Sequence, residues 1–462
     1  MDNTEHSLIE LLACPKCDGN LDTDNKSDAL KCEQCATKFP RIGDIPVLFP
    51  EPAIAIGDWQ SRFDNALAKL RHEIQSLDQA IAKGTSKSLS QKRLLAQKNA
   101  YSFQIKALKK LLAPMAKLPG QADRATHQAL RTRLPPDQGL DTYFPNIFRD
   151  WNWGENENRL SVEQIVESYE QLSEEKPGTI LVLGAGAGRL AHDLAQHWQA
   201  GQLYALDFNP LLMSLAAKLS SGASEELFEF PIAPKRLEDF ALKRPLSAPQ
   251  PASRPIHWIL GNALQAPFKA GSFDLVVTPW LVDIIDDEFS AFCRRVNRLL
   301  ATDGHWLSFG SLAFRSQNPA HCYSAEEVAE IITAQGFDEP RRTDVEMPYL
   351  ASPASRHSRV ETVSTFAMRK LQSLEPDARY SALPDWIVNE TTPVPADDAL
   401  TRQAAATRIH AFIMAMIDGT RSLDDMAALM EQQQLMPKNE ALPAIRSLLI
   451  KMFDEANRYS GF

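Results

Sequence analysis

Four cysteines close to the N terminus carry the first chemical signal of this sequence. Cys14 and Cys17 form one CxxC pair, Cys32 and Cys35 form a second, and fourteen residues separate the two pairs. Four thiolates at this spacing are typical of a closed tetrahedral zinc site, which is structural because no ligand position stays open. Two disulfides are the alternative, but they need an oxidising compartment. We therefore expect structural Zn²⁺ at these residues.

A glycine-rich turn carries the second signal. The stretch ILVLGAGAGRL begins at Ile180 with four apolar residues, and Gly184, Gly186 and Gly188 follow at alternate positions. The apolar run is typical of a strand buried in a parallel sheet. Glycines let the chain turn sharply, and the free N–H groups of the helix that follows favour an anionic or polar group. Sites for NAD, FAD and S-adenosylmethionine (SAM) all use such a turn.

Polar side chains follow the next strands. Asp207 ends the strand in GQLYALDFNP, about twenty residues after the turn, where a carboxylate accepts hydrogen bonds from ribose hydroxyls. Asn262 follows IHWILG, where an amide side chain can read an adenine edge, and Asp283 comes just past SFDLVV. Ligands of open α/β sheets bind at the carboxyl ends of strands. We therefore expect these three residues in one site.

The elements that position these residues alternate between strand and helix. From Ile180 to about Lys370 the pattern predicts a doubly wound α/β sheet, with KRPLSAPQPASRP as a surface loop. Two apolar stripes on either side of KGTSKS predict an antiparallel helical hairpin. Three helices are expected after residue 375. We divide the chain into a zinc ribbon (1–52), a helical hairpin (53–120), an N-terminal cap (121–172), an α/β domain (173–372) and a C-terminal domain (373–462).

The order of these signals resembles a class I SAM-dependent methyltransferase. The glycine turn, the acidic strand end, the polar residue beside the adenine and FDLVV follow one another as in that family. CRRVNRLLATDGHWLSFG resembles its helix, turn and fifth strand. The resemblance implies a Rossmann-like fold with SAM as the cofactor. A nucleotide-dependent dehydrogenase is the competing interpretation, but no catalytic Tyr-Lys or His pairing is evident.

Within that superfamily, residues 143–370 resemble the carnosine N-methyltransferase family. IFRDWNWGENENR stands in place of the family's VRDWS-type turn, LGAGAGRLA in place of PGAGLGRLA, and WLVDIID in place of FFIDTA. The resemblance implies a cap over the cofactor that contains Asn146 and Arg149, with the Arg149 guanidinium on the methionine carboxylate. It also implies that the three glycines line the methionine and ribose, that Asp207 holds the ribose, and that Asn262 and Ala263 lie beside the adenine.

The same resemblance assigns the substrate side. Asp283 matches a family acid that contacts the substrate imidazole: by holding one ring N–H, a carboxylate fixes the lone pair on the other nitrogen for attack. The alternative is that Asp283 caps the following helix. The family's Tyr-His pair after the fifth strand is Phe314-Arg315 here, within DGHWLSFGSLAFR. We therefore expect Phe314 and Arg315 to contact the substrate, and we expect an acceptor other than carnosine. A carboxylate-bearing group of that acceptor is expected near Arg315.

Two terminal segments resemble small known modules. LLACPKCDGNL and CEQCATKFPRIGDIPVLFP resemble the zinc-ribbon protein that activates tRNA and protein methyltransferases by covering their apolar surface. The resemblance implies that the module packs on the α/β domain or recruits a substrate. FIMAMIDGTRSLDDMAALM resembles PqqD-like winged-helix domains, which implies a bound leader peptide, and its helix is capped at Ser422. A helical domain that stabilises a homodimer is the alternative.

Charge and composition exclude several classes of function. The net charge of −10 argues against a nucleic-acid groove, and no apolar run approaches the length of a membrane span. The N terminus also lacks the layout of a signal peptide. We expect a cytoplasmic N-methyltransferase that acts on the imidazole of a histidine-containing small molecule or peptide. An RNA or translation-factor methyltransferase with a built-in zinc-ribbon activator, and a non-catalytic peptide-binding scaffold, are the alternatives.

Overall fold

The chain folds as two compact units, Met1–Pro384 and Asp385–Phe462. The computed structural model describes residues 8–24, 28–84, 88–120, 139–199, 201–285, 288–314, 319–374, 391 and 393–460. Within these ranges, no helix is both long enough and apolar enough to cross a membrane.

The first unit mixes short and long elements. Its strands are β1 (Leu21–Thr23), β2 (Leu30–Cys32), β3 (Lys38–Phe39), β4 (Arg41–Ile42), β5 (Ile45–Leu48), β6 (Thr179–Leu183), β7 (Gln202–Asp207), β8 (Ser224–Glu229), β9 (Leu242–Ser247), β10 (Ile256–Gly261), β11 (Phe273–Pro279), β12 (Leu300–Gly310), β13 (Arg341–Tyr349) and β14 (Arg359–Arg369). Its α-helices are α1 (Pro52–Lys83), α2 (Leu89–Leu111), α3 (Ala113–Ala116), α4 (Phe144–Phe148), α5 (Glu155–Glu170), α6 (Arg189–His197), α7 (Pro210–Ser220), α8 (Phe289–Leu299) and α9 (Ala325–Ala334). Between α4 and α5 lies a π-helical segment, Arg149–Trp153, called the π segment below.

A nine-stranded sheet forms the centre of this unit, in the order β13-β14-β12-β11-β6-β7-β10-β5-β4. Strands β12, β11, β6, β7, β10 and β5 are parallel to one another along this order. At the two edges the pairing is antiparallel, because β14 is antiparallel to both β12 and β13 and β4 is antiparallel to β5. Alternate residues of β6 enter different apolar clusters: Ile180 and Val182 join one, Leu181 and Leu183 the other. Both faces of the sheet are therefore covered, which explains the uninterrupted apolar strands. The predicted doubly wound α/β fold is confirmed.

The zinc-ribbon module is part of the same sheet and core. Strand β5 pairs in parallel with β10, where Val47 lies opposite Leu260. Leu12 forms a bridge with Phe268, and the Ala13 N–H donates to the Pro267 carbonyl at 2.9 Å. Buried residues of the module and of the α/β domain belong to one apolar cluster. The expectation that the module packs on the α/β domain is confirmed.

The helical hairpin covers one face of the sheet. Late α1 meets early α2 through an ion pair between Asp78 and Lys98 at 2.5 Å, and Gln60 of early α1 donates to the Met115 carbonyl at 3.2 Å. The two helices are therefore antiparallel, as the apolar stripes predict. Trp59 and other buried residues of the hairpin join the cluster that contains β6 residues.

One expectation about the α/β region is wrong. Part of KRPLSAPQPASRP is not a loop, because β9 (Leu242–Ser247) pairs with β8 (Ser224–Glu229) in an antiparallel ribbon. Pro245 lies within β9 opposite Glu226. Both strands of a two-stranded ribbon are edge strands, so a proline whose missing N–H faces outward breaks no ladder hydrogen bond. The proline-rich composition hides this strand in the sequence.

The described residues of the second unit form three helices, as the sequence predicts: α10 (Asp398–Ala415), α11 (Leu423–Gln432) and α12 (Lys438–Ser460). Ser422 caps α11 by accepting a hydrogen bond from the Asp425 N–H at 3.2 Å. Ile413, Met426 and Met430 lie in its apolar core. Residues 393–460 contain helices without a strand, so the resemblance to a winged helix stays a prediction.

We predict that Leu12→Ala destabilises the whole first unit rather than the ribbon alone. Leu12 is fully buried in a cluster shared by the module and the α/β domain. Truncating a buried leucine costs about 2–5 kcal/mol. Leu89→Ala makes the same change at a residue that is 68% exposed and serves as the control. In differential scanning calorimetry, a separate small transition that alone shifts in Leu12→Ala would contradict this view.

Candidate cofactor site and zinc centre

The glycine turn has the backbone geometry that the sequence predicts. Gly184, Gly186 and Gly188 have φ values of +74°, +58° and +93°. The Gly184 N–H donates to the Leu206 carbonyl at 2.9 Å, which ties the turn to the end of β7. A Cβ on Gly188 would lie 2.4 Å from Cβ of Ala216, whereas a Cβ on Gly186 would meet no atom within 4 Å. Gly188 therefore permits close packing, and Gly186 borders open space.

Asp207 connects the glycine turn to the end of β7. Its Oδ2 accepts the Gly186 N–H at 2.9 Å, and its Oδ1 accepts the Asn209 N–H at 2.9 Å. The side chain is buried, and burial raises its pKa to about 6 although these N–H groups lower it. A carboxylate has about four lone-pair positions, so each oxygen can accept a further hydrogen bond. The geometry suits two hydroxyl groups of a ligand.

Asn262 lies at the end of the neighbouring strand. Leu260 pairs with Asp207 across β10 and β7, so Asn262 follows two residues beyond the paired position. Its Oδ1 accepts the Leu264 N–H at 2.9 Å and so caps a short 3₁₀ turn that begins at Ala263. Both Asn262 and Ala263 are half-buried. The structure therefore brings the residues expected at ribose and adenine together on adjacent strand ends.

Aromatic residues that sequence reasoning missed border these strand ends. Phe208, directly after Asp207, stacks on Trp59 of α1 with ring centroids 5.9 Å apart. Trp280, directly after β11, has a φ of +50°, an uncommon value for a bulky residue. The only available sequence signal is their position next to a strand end.

The π segment attaches the cap to the glycine turn. Trp151 Nε1 donates to the Ala187 carbonyl at 2.7 Å, and the Arg189 N–H donates to Asp150 Oδ2 at 3.3 Å. Arg149 Nε donates to Asp150 Oδ1 at 2.7 Å. Asp150 therefore contacts both the predicted cofactor ligand Arg149 and the start of α6. Asp150 and Trp151 are further functional candidates that the motif RDWNW contains but sequence reasoning left unassigned.

Arg149 keeps its charge in this setting. Burial acts to lower its pKa, but the carboxylates of Asp150 and Glu157 raise it above the ordinary value. Glu157 accepts the N–H groups of Leu350 and Ala351 at 3.0 and 2.9 Å, and burial raises its own pKa. Within the described residues, the two Nη groups of Arg149 have no hydrogen-bond partner. They are the donors that a carboxylate of the cofactor would need.

Asp283 lies on the segment that borders the glycine turn. Leu281 lies two residues before Asp283, and its Cδ1 atom would lie 3.1 Å from a Cβ atom added to Gly184. Asp283 is half-buried, and its Oδ2 accepts the Ala313 N–H at 2.9 Å. Helix α8 begins at Phe289, and its N-cap position is Glu288, five residues after Asp283. The substrate role of Asp283 and its alternative role as a cap stay predictions.

The remaining predicted site residues are less directly placed. Phe314 directly follows Ala313, whose N–H donates to Asp283. Its ring packs on the rings of Phe289 and Tyr323, with ring centroids 6.1 and 5.3 Å apart. Asn146 is half-buried on α4, in the cap. Arg315 lies outside the described residues. The substrate roles of Phe314 and Arg315 stay predictions.

The four cysteines of the ribbon form one cluster. Their sulfur atoms all lie within 4.8 Å of one another, with Cys14 to Cys35 at 3.7 Å and Cys17 to Cys32 at 3.4 Å. Zn–S bonds of about 2.3 Å in a tetrahedron place sulfurs about 3.8 Å apart, so the cluster fits Zn²⁺. Burial raises the pKa of Cys14. Burial also acts to raise that of Cys35, but hydrogen bonds from Thr37 lower it to about 6, toward the thiolate that zinc needs.

Known proteins resemble both parts of this arrangement. Residues 181–308 match the family model described as methyltransferase domain, and residues 5–40 match the model described as Trm112p-like protein. UPF0434 proteins of Mannheimia succiniciproducens and Shewanella frigidimarina are 37% and 40% identical to this chain over 51 and 52 residues. These matches cover 11% of this chain and 84% and 90% of the relatives. Through its N-terminal module, the chain belongs to the UPF0434 protein family.

Solved structures with low identity are similar to part of the chain. The N-methyltransferase NodS from Bradyrhizobium japonicum, in complex with S-adenosyl-L-homocysteine (SAH), covers 50% of this chain and 100% of its own at 18% identity, with a TM-score of 0.32. A SAM-dependent methyltransferase from Methanosarcina mazei covers 44% of this chain and 96% of its own at 15% identity, with a TM-score of 0.31.

The family match and the fold agree on the class of enzyme. The matched residues 181–308 span β6 to β12, which include the glycine turn, Asp207, Asn262 and Asp283. The chain is a SAM-dependent methyltransferase with a Trm112-like module, and its cofactor is SAM. Within the described residues, the four clustered cysteines supply the ligands that a structural zinc ion needs.

We predict that binding of SAH weakens below pH 6 through Asp207. The ribose hydroxyls need an ionised acceptor, and Asp207 becomes protonated as the pH falls through its pKa of about 6. The SAH dissociation constant should rise roughly tenfold between pH 7 and pH 5. Asp207→Asn should bind weakly with little pH dependence, whereas Asp344→Asn on edge strand β13 should behave as wild type. Titration calorimetry that shows flat wild-type affinity over this range would contradict the role.

We also predict that Arg149 recognises the amino-acid part of the cofactor. Arg149→Gln should weaken SAH binding about 10- to 100-fold, since a hydrogen bond to a charged group contributes about 1.5–3 kcal/mol. Binding of 5′-methylthioadenosine, which lacks that part, should change less than about threefold. Arg159→Gln removes an exposed arginine of α5 and is the control. Equal losses for both ligands in Arg149→Gln would show a structural role instead.

Proposed function

We propose that this methyltransferase acts on a nitrogen, with the imidazole of a histidine-containing small molecule or peptide as the acceptor. The observation that carries the proposal is the position of the Asp283 carboxylate, which accepts the Ala313 N–H at 2.9 Å. Asp283 follows Leu281 by two residues, and the Leu281 side chain borders the glycine turn. The resemblance of WLVDIID to the carnosine N-methyltransferase family supports the same role.

Asp283 would set the protonation state of the acceptor. SAM, when bound, supplies a methyl group on a sulfonium. Asp283 accepts the N–H of one imidazole nitrogen, so that the lone pair stays on the other nitrogen and faces the methyl group. On accepting the methyl group the ring would become cationic, and the Asp283 carboxylate would stabilise that charge. The N–H proton beside Asp283 would then pass through the carboxylate to water, which would leave a neutral ring.

The second unit and the zinc module have features that fit this proposal. Apolar side chains of the second unit, Met414 and Ile417, are 48% and 49% exposed and suit a leader peptide or a homodimer contact. The zinc module supports the catalytic domain by pairing β5 with β10. Four free thiols as zinc ligands are consistent with a reducing, cytoplasmic environment.

A second candidate is an RNA or translation-factor methyltransferase with its activator in the same chain. The observation that favours it is the match of residues 5–40 to the Trm112p-like model, together with the shared apolar cluster. The same enzyme chemistry would then serve a macromolecular acceptor.

We predict that Asp283→Ala lowers methyl transfer to an imidazole acceptor at least about 100-fold. SAH affinity should change less than threefold, because Asp283 lies on the substrate side. Glu330→Ala, an exposed carboxylate on α9, is the control. The assay offers SAM with histidine, histamine, histidine-containing peptides, transfer RNA and translation factors, and detects one added methyl group by mass spectrometry.

Two outcomes of that assay would contradict the imidazole proposal. Methylation of RNA or translation factors alone would favour the second candidate. Methylation of an imidazole by Asp283→Ala at the wild-type rate would show that Asp283 does not position the acceptor.

A further inference from the structure

The first unit contains a cavity of about 470 Å³. No sequence motif predicts this cavity. Helices α1 and α2 form one wall, α4 and the π segment another, and the end of β8 with residues around the end of β13 complete it. Pockets for small molecules have volumes of about 300–1,000 Å³. The cavity is therefore large enough for a small metabolite or for one side chain of a peptide.

The cavity shares two elements with the proposed active site. Trp153 lines it from the π segment, whose Trp151 binds the Ala187 carbonyl of the glycine turn. Tyr349 lines it from β13 and packs on Trp280 with ring centroids 4.4 Å apart, and Trp280 directly follows β11. The cavity therefore adjoins the carboxyl end of β11, the strand that precedes Asp283.

Aromatic rings dominate the walls. Tyr101 stacks on Phe230 with centroids 4.4 Å apart, and Phe148 and Trp153 also line the space. The ring of Tyr349 already carries the Arg359 guanidinium, 4.3 Å from its centroid. The faces of aromatic rings carry negative charge density and attract organic cations. A cavity of this composition suits a cation that water solvates weakly.

One carboxylate of the walls lacks a compensating charge. The other ionised groups are paired: Lys69 with Asp141, Glu229 with Arg244, and Arg359 with Glu361. Half-buried Glu73 of α1 has no ion pair or hydrogen bond within the described residues. Burial and then the Glu73 carboxylate raise the pKa of Tyr101, which indicates that the two side chains are close neighbours. The cavity therefore has a surplus negative charge.

A hydrogen-bond donor of the walls also lacks a partner. Trp153 Nε1 is buried and makes no hydrogen bond within the described residues. Because this nitrogen is buried and not exposed to the cavity, it offers no donor to a ligand there.

We infer that this cavity binds the methyl acceptor through a cationic amino group, and that the substrate is a small organic cation. The cation lies among the rings beside Glu73. This inference rests on the proposed function for the reaction, and it selects amine-bearing acceptors over neutral and anionic ones. It also gives the helical hairpin a part in substrate selection.

Titration calorimetry on the full chain, with and without SAH, tests the inference with two probes of equal shape. Choline carries a cation and a hydroxyl oxygen, whereas 3,3-dimethylbutan-1-ol replaces the ammonium nitrogen by carbon. The wild-type protein should bind choline at least about tenfold more tightly. Glu73→Gln should remove most of this preference. Asp64→Asn neutralises an exposed carboxylate of the same helix and should change nothing.

Three results would overturn the inference: equal affinity for both probes, no choline binding at millimolar concentration, or full cation preference in Glu73→Gln. The same samples report SAH binding independently. A protein that binds SAH but does not prefer choline refutes the cavity assignment and leaves the proposed function standing. A protein that prefers choline but does not bind SAH refutes the proposed function.

Discussion

The buried carboxylate of Asp207 is the interaction on which the proposed cofactor site depends. It holds the Gly186 N–H at 2.9 Å and so fixes the glycine turn against the end of β7. Burial raises its pKa from 3.8 to about 6, so the ionised form costs folding stability at neutral pH, and this cost declines as the pH falls from about 6 to 3.8. A carboxylate kept ionised at such a cost is ready to accept hydroxyl groups, which is what a nucleoside ligand provides.

Segments from distant parts of the sequence converge on this strand end. Trp151 of the cap binds the Ala187 carbonyl of the turn, and Trp59 of the hairpin stacks on Phe208 beside Asp207. Strand β5 of the zinc module covers β10, whose far end carries Asn262. An uncovered β10 would be an exposed sheet edge, which favours unwanted strand pairing. The module thus supports the strand at whose end we expect the adenine side of the site.

Sequence reasoning works best where one segment determines its own structure. The apolar strands, the glycine turn, the zinc cysteines and the capped helix at Ser422 carry local signals, and each is found as expected. Contacts between distant segments give no such signal. The pairing of Val47 with Leu260 joins residues of two modules, and Trp151 and Trp153 look alike in RDWNW although one binds the glycine turn and the other lines a cavity. Pro245 misleads because composition does not reveal that β9 is an edge strand.

A crystal structure of the full chain with SAH tests the central claim most directly. We expect the adenosine between the glycine turn and the end of β10, with both ribose hydroxyls within about 2.5–3.0 Å of the Asp207 carboxylate. The sulfur should face the segment that carries Asp283. SAH bound elsewhere, or a turn whose space beside Gly186 is filled by protein side chains, would contradict the assignment of this pocket as the cofactor site.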